Sequence, residues 1–188
     1  MSLKPKTVEG KNILVGLTGG IACFKVAHLV SRLVQEGASV QVAMTSAACQ
    51  FITPLTFESL TAKPVFDCQW KHVDGSSPQH ILLAEQADVM LVAPCTMDML
   101  AKVTYGLTDD PVSLLCASID RTKKSVILAP SMNATMLSQP ATNRNLMQVA
   151  EDGFTVLDAE EGWQACRAVG SGRMPEPDIL LQAIYAAI

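Results

Sequence analysis

The chain has 188 residues, of which 49% are hydrophobic and 17% charged; that is enough for one domain with a full core and too little for two of ordinary size. A net charge of −4 without a basic cluster argues against nucleic acid as the main partner, and a mean hydropathy of +0.27 suits a buried parallel sheet or surface lost to self-association. The six cysteines (Cys23, Cys49, Cys68, Cys95, Cys116, Cys166) form no C-x-x-C pair and no zinc or disulfide-scaffold spacing, and no apolar run reaches membrane-span length. They are read as free thiols, and the chain as a soluble, cytoplasmic protein with no metal site and no membrane partner.

In chain order, an apolar run at 12–17 passes through Thr18-Gly19-Gly20 into an amphipathic stretch at 21–35 that Gly37 closes. This predicts strand, tight turn and helix. A β-rich segment at 39–44 completes a βαβ unit, which must cross over right-handed into a parallel sheet. Thr45 and Ser46 then cap a helical turn. Residues 66–79 have no periodicity and read as a loop, after which His80 opens a helix. Further strands are predicted at 88–93, ending at Pro94, at 125–129, ending at Pro130, and at 154–157, with a last helix at 178–188. Alternating strands and helices predict a doubly wound, mostly parallel α/β sheet, whose ligands bind beyond the C-terminal strand ends.

The chemistry-bearing residues fall at those ends. Thr18-Gly19-Gly20 lets backbone N–H groups approach an anion, although it lacks both G-x-G-x-x-G and G-x-x-x-x-G-K-[ST], so a dinucleotide or triphosphate is not the first ligand to propose. The hydroxyls of Thr45 and Ser46 add donors that suit a monophosphate. Pro94-Cys95-Thr96-Met97-Asp98 brings a hydroxyl and a carboxylate, and Pro130-Ser131-Met132-Asn133-Ala134-Thr135-Met136 an amide and methionines. Singly, Asp98 reads as a first-turn residue and the methionines as core. The run from Gly162 to Pro177 holds three glycines and two prolines around Cys166, which reads as a loop presenting a mobile thiol.

The order of His80-Ile81, Pro94 to Met99, Pro130-Ser131-Met132-Asn133 to Met136, and Gln164-Ala165-Cys166 to Gly172-Arg173-Met174 resembles the homo-oligomeric flavin-containing cysteine decarboxylases. Within them it is most similar to the phosphopantothenoylcysteine decarboxylases, in particular the N-terminal half of the bacterial bifunctional coenzyme A enzymes. The resemblance covers nearly the whole chain. It implies a flavodoxin/Rossmann-like three-layer sandwich, formed by a single FMN-binding domain over 1–188 with 162–177 as a flap over substrate. FMN would be held by Thr18, Gly19, Gly20, Ile21, Thr45, Ser46, Pro94, Cys95, Thr96 and Asp98. Asn133 would bind the substrate carboxylate, with Met132, Ala165, Arg167, Arg173 and Met174 also at the substrate.

The implied reaction converts 4'-phosphopantothenoylcysteine to 4'-phosphopantetheine. Cysteine carboxylates lack an electron sink, so the thiol side is first oxidised to a thioaldehyde with FMN, after which CO2 leaves and the enethiolate is reduced. His80 assists proton removal, acting across a subunit interface of a homotrimer or homododecamer, and Cys166 donates a proton in the reductive half. The chain departs from the family pattern at Cys95, where alanine is common, at Pro111, where leucine is expected, and at Arg167, where glycine follows the cysteine. A peptidyl-cysteine decarboxylase, a flavin prenyltransferase, a non-catalytic FMN-binding regulator and a flavodoxin-like carrier are the competing readings. Cys166 within G-x-G-R-M argues against the first two, the joint presence of His80, Asn133 and Cys166 against the third, and the modest net charge against the fourth.

Overall fold

Short runs rich in Val, Ile and Leu, each bounded by glycine, proline or a polar cap, are suited to strands buried on both faces. In the computed structural model, which describes residues 7–70 and 78–188, these runs form one sheet. The first half of the chain runs β1 (Asn12–Leu17), α1 (Cys23–Gln35), β2 (Ser39–Met44), a 3-10 turn (Ala48–Gln50), α2 (Pro54–Thr61), α3 (Gln79–Gln86) and β3 (Val89–Cys95). The second runs α4 (Met97–Tyr105), α5 (Pro111–Ser118), β4 (Ser125–Pro130), α6 (Ala134–Leu137), α7 (Pro140–Glu151), β5 (Thr155–Val156), β6 (Glu160–Trp163), β7 (Val169–Arg173) and α8 (Pro177–Ala187).

The five-stranded sheet has the order β2-β1-β3-β4-β5 and every pairing in it is parallel. Parallel neighbours require crossover connections, and the helices that make them cover both faces. Alternate residues of each strand therefore enter two cores. Ile13, Val15 and Leu17 join Val40, Val42 and Met44 beneath Leu29 and Leu33 of α1, Phe57 of α2 and Ile184 of α8. Leu14, Met90, Val92 and Leu128 face Ala84 of α3, Leu100 of α4, Leu115 of α5 and Val149 of α7. This is the expected three-layer, doubly wound sandwich.

Local signals explain the boundaries. Helix α1 stops at Gly37, whose φ of +85° only glycine adopts freely. The 3-10 turn starts one residue later than the expected caps Thr45 and Ser46 imply: its N-cap is Ala47, without a side-chain cap, while Thr45 accepts from the Ala48 N–H at 3.1 Å. Pro111, the departure that follows two aspartates, occupies the first position of α5, where its missing N–H costs nothing, and Asp110 caps that helix through Val112 and Ser113 N–H.

Three further boundaries differ from expectation. Strand β3 continues through a cis Ala93–Pro94 bond to Cys95, with an irregular register between Val92 and Cys95. Strand β5 is two residues long, because only Thr155 and Val156 pair with β4. The third is the glycine-rich run, which is not an irregular loop but an antiparallel hairpin of β6 and β7 with Cys166 in its turn. Part of the predicted 66–79 loop, Lys71, His72, Asp74, Gly75, Ser76 and Ser77, lies outside the described residues; Phe66 bridges Ala43 beside the sheet.

Candidate active site

Strand order reverses between β1 and β3: the chain leaves β1 towards β2 on one side and returns to β3 on the other. Their C-terminal ends therefore diverge and leave a crevice, the place where open α/β sheets bind ligands. Thr18 ends β1 there and is buried. Its hydroxyl donates to the Pro94 carbonyl at 2.6 Å and accepts from the Thr96 N–H at 3.1 Å, tying the two strand ends together. Thr96 in turn caps α4 by accepting from Met99 N–H at 3.3 Å. Gly19 is a steric requirement, since a Cβ there would stand 2.5 Å from the Ala47 Cβ. The turns after β1 and β2 are thus packed against each other, with Ser46 exposed beside them.

The crevice opens into a cavity of about 970 Å³, at the upper end of the roughly 300–1,000 Å³ of small-molecule pockets. Of the sequence-predicted residues, Thr18, Gly19, Gly20, Ile21, Thr45, Ser46, Thr96 and Asp98 line it on one side. Met132, Asn133, Ala165, Cys166, Arg173 and Met174 line it on the other. Half-exposed Ile21 and Phe24 and solvent-facing Trp163 give the rim an apolar character suited to a flat ring.

Four predicted residues are placed elsewhere. The Cys95 side chain is fully buried in the core beneath α4 and α5, where burial, with Cys116 nearby, raises its pKa far above the ordinary thiol range, so it offers no group to a ligand. Its neighbour Cys116 is pushed up to about 12, chiefly by the same burial. Pro94 contributes a carbonyl to Thr18 and a ring against Gly20, but does not line the cavity. Arg167 sits at the tip of the hairpin, exposed, with φ +64°. That left-handed conformation accounts for the glycine expected at this position, and Arg167 does not line the cavity. His80 occupies the first turn of α3, half-buried, and does not line the cavity either.

The hairpin is what delivers Cys166. It lies flat on the segment after β4, and its glycines permit the approach. A Cβ on Gly172 would fall 2.2 Å from the Met132 carbonyl oxygen and on Gly170 3.1 Å from Ala134, whereas Gly162 makes room within the hairpin, where a Cβ would stand 2.7 Å from the Arg173 side chain. The Met132 N–H donates to the Gly172 carbonyl at 2.9 Å, so backbone docks on backbone. Gly172 also has φ +112°. Gly172→Ala therefore meets steric and conformational penalties together, on the order of 1–3 kcal/mol for the backbone alone. The expected result is faster hydrogen exchange across residues 160–173 with the sheet core unchanged.

Across this contact, Asn133 Nδ2 donates to Cys166 Sγ at 3.4 Å while Asn133 Oδ1 accepts from Thr135 N–H at 2.8 Å, capping α6. The amide oxygen is committed to the backbone, which leaves the amide nitrogen facing the cavity. On the thiol's other side, Cys166 Sγ lies 3.6 Å from Gln164 Oε1. Residues 33 apart in sequence are thereby brought into one cluster.

Two further charged groups stand on the wall, Lys25, whose partner is distant in the chain, and Lys102, whose partners lie within eight residues of it. Lys25 of α1 pairs with Glu176 at 2.8 Å, and Glu176 also bonds Arg173, so one carboxylate fastens the base of the hairpin to α1. The hydrogen bond from Lys25 holds the Glu176 carboxyl below its ordinary value, partly offset by burial, with the Lys25 and Arg173 charges adding to the effect. A depressed folded-state value means that this fastening is complete above the unfolded glutamate pKa, about 4.3, and is lost as the pH falls through the lower folded value. Hydrogen exchange of the hairpin should rise over that acid window, and Glu176→Gln should remove this component of the pH dependence. Lys102 lies 2.9 Å from Asp110, 3.0 Å from Asp109 and 3.7 Å from Asp98. Burial works to lower its pKa, but the hydrogen bonds to Asp110 and Asp109 and the nearby charges outweigh it and hold the ammonium above lysine's ordinary value.

A family model described as Flavoprotein matches residues 1–188. The Coenzyme A biosynthesis bifunctional protein CoaBC of Bacillus subtilis (strain 168) is 37% identical over 175 residues, covering 93% of this chain and 42% of that protein. Its counterpart from Vibrio cholerae serotype O1 (strain ATCC 39315 / El Tor Inaba N16961) is 43% identical over 172 residues, covering 92% and 42% respectively. The chain thus spans less than half the length of these curated relatives. Among solved structures, a mutant PPC decarboxylase complexed with pantothenoylaminoethenethiol superposes with a TM-score of 0.83 at 25% identity, covering 95% of this chain and 98% of that one. The FMN binding protein AtHal3 superposes with 0.80 at 26% identity, covering 95% and 96%. A crevice at the β1/β3 reversal, a glycine turn packed against its neighbour and a match along the full chain lead to one assignment: the chain belongs to the flavoprotein family.

Proposed function

We propose that the chain decarboxylates 4'-phosphopantothenoylcysteine to 4'-phosphopantetheine with FMN as cofactor. The observation that carries this reading is the meeting of Asn133 and Cys166 at 3.4 Å on the wall opposite the glycine turn. The names of the relatives, a coenzyme A biosynthesis protein and a PPC decarboxylase, support the substrate class.

The residues present fit the cofactor. The Thr18–Gly20 turn at the start of α1, together with Thr45 and Ser46, supplies backbone and hydroxyl donors for a phosphate. Ile21, Phe24 and Trp163 supply apolar surface for a ring system. FMN, when bound, provides a two-electron sink for the substrate thiol and returns the pair at the end of the cycle. Asn133 Nδ2 orients the substrate carboxylate without a formal charge, which avoids overstabilising the ground state. Cys166 Sγ gives its proton to the enethiolate carbon after CO2 has left. The hairpin acts as the flap that positions this thiol and excludes water.

His80 acts from a neighbouring subunit. Its first turn of α3 also carries Ile81, 39% exposed, and Leu82, 36% exposed, an apolar strip at which a second copy would bring the imidazole to the adjoining cavity. Such a site is made by two subunits, so co-assembled His80→Asn and Cys166→Ser chains should regain turnover that each lacks alone. Failure to regain it, or a monomer by light scattering, would contradict this role. The cofactor assignment is tested by reconstitution: apoprotein should take up FMN with a perturbed flavin absorbance spectrum, and a chain that stays colourless would overturn it.

A further inference from the structure

We propose that Gln164 is a positioning residue that directs the proton of Cys166 away from Asn133. This rests on the role for Cys166 given above. The orientation of the Gln164 carboxamide follows from its nitrogen. Nε2 donates to the Ser171 carbonyl at 2.7 Å and faces the Met132 carbonyl at 3.5 Å, two acceptors that only the NH2 end can serve. Its oxygen is thereby turned to the thiol, at 3.6 Å from Cys166 Sγ. The backbone fixes the same geometry: Gln164 N–H donates to Ala168 O and Arg167 N–H donates to Gln164 O, both at 2.9 Å, closing the turn that carries Cys166.

The thiol therefore sits between an amide that donates and an amide that accepts. Asn133 Nδ2 points a hydrogen at the sulfur, so the S–H bond cannot be directed there; Gln164 Oε1 is the acceptor on the other side. The acceptor on one side and the donor on the other fix the direction of the S–H bond, and the Asn133 N–H already faces the sulfur that the proton leaves. The step moves one proton from Sγ to the substrate carbon while the S–H bonding pair stays on sulfur, and solvent restores the proton afterwards. The charged residue next in the chain is Arg167, and the cavity that the thiol lines is also lined by Arg173, Lys25, Lys102, Asp98 and Asp110. Among the described residues, the hydrogen bonds of Cys166 Sγ go to neutral amides, Asn133 and Gln164.

The test is the rate of Cys166 alkylation by iodoacetamide as a function of pH, followed by mass spectrometry of the Cys166 peptide in FMN-loaded protein, and it requires no turnover. Gln164→Glu places a negative charge beside the sulfur and should move the midpoint of the profile upward by about one unit, an approximately tenfold slower reaction near neutrality. Gln164→Ala removes the acceptor, leaves the Asn133 donor in place, and should move the midpoint downward. Opposite shifts support the proposal. Midpoints that stay put, or that move the same way in both variants, would overturn it, since loss of hairpin shape alone has no reason to follow the charge introduced. Should the unsubstituted chain fail to turn over phosphopantothenoylcysteine, the substrate assignment falls while the alkylation profiles still decide the place of Gln164.

Discussion

Cys166→Ser is expected to release CO2 from 4'-phosphopantothenoylcysteine and then stop, accumulating the enethiol in place of 4'-phosphopantetheine. The turn geometry has room for the change, because serine is smaller and the site is exposed at the hairpin tip. The difference is chemical. A hydroxyl gives up its proton far less readily than a thiol, and losing a general acid of matched acidity typically costs about 10²–10⁴ in rate. That loss should fall on the reductive half alone, since oxidation of the substrate thiol and departure of CO2 precede the transfer from Sγ. A single-turnover experiment that quantifies CO2 and trapped enethiol would check it. Complete turnover to phosphopantetheine by the serine variant would remove Cys166 from its assigned role, and loss of CO2 release would place the thiol earlier in the sequence.

Asn133→Asp is expected to abolish turnover while leaving the fold and FMN binding intact. Aspartate can keep the cap on α6, because the oxygen that accepts from Thr135 N–H survives the exchange. What it loses is the Nδ2 donor, and what it adds is a negative charge where the substrate carboxylate is to be held. Like charges brought together at a binding site cost several kcal/mol, on the order of a thousandfold in kcat/KM. The same substitution turns the donor facing Cys166 Sγ into an acceptor, which works against the thiolate left after transfer. Steady-state kinetics together with a flavin absorbance spectrum separate the two effects. Retained activity would reject the carboxylate contact, and loss of flavin would show that the segment after β4 supports the cofactor as well.

Much of this arrangement is legible in the residues themselves, and the exceptions have physical causes. Strands β1 to β4 are visible because both faces of a parallel sheet are buried, which leaves continuous apolar runs with glycine or proline at their ends. The hairpin is not visible, because glycine and proline normally mark irregular backbone. Here Gly170 and Gly172 mark instead where a strand pair lies flat against the segment after β4, a property of the partner surface that the run itself does not encode. Asn133 and Cys166 are recognisable as reactive residue types, but their contact depends on docking between segments 33 residues apart. Lys25 and Glu176 illustrate the same limit at a separation of 151 residues. Cys95 errs in the other direction: it belongs to a motif at a strand end, yet the irregular register after Val92 breaks the strand's alternation and puts its thiol in the same core as Met90 and Val92. Gln164 had a signal available, a carboxamide two residues from a reactive thiol at a turn, although its role emerges only when Ser171 and Met132 fix which end faces the sulfur.

The most direct measurement is an anaerobic assay of the FMN-loaded chain with 4'-phosphopantothenoylcysteine, counting CO2 and 4'-phosphopantetheine per flavin in the same cuvette. The account predicts equal amounts of both products, many turnovers per flavin, and a flavin that ends oxidised. Flavin bands that persist with neither CO2 nor phosphopantetheine formed would contradict the proposed reaction and leave the flavoprotein fold without this substrate.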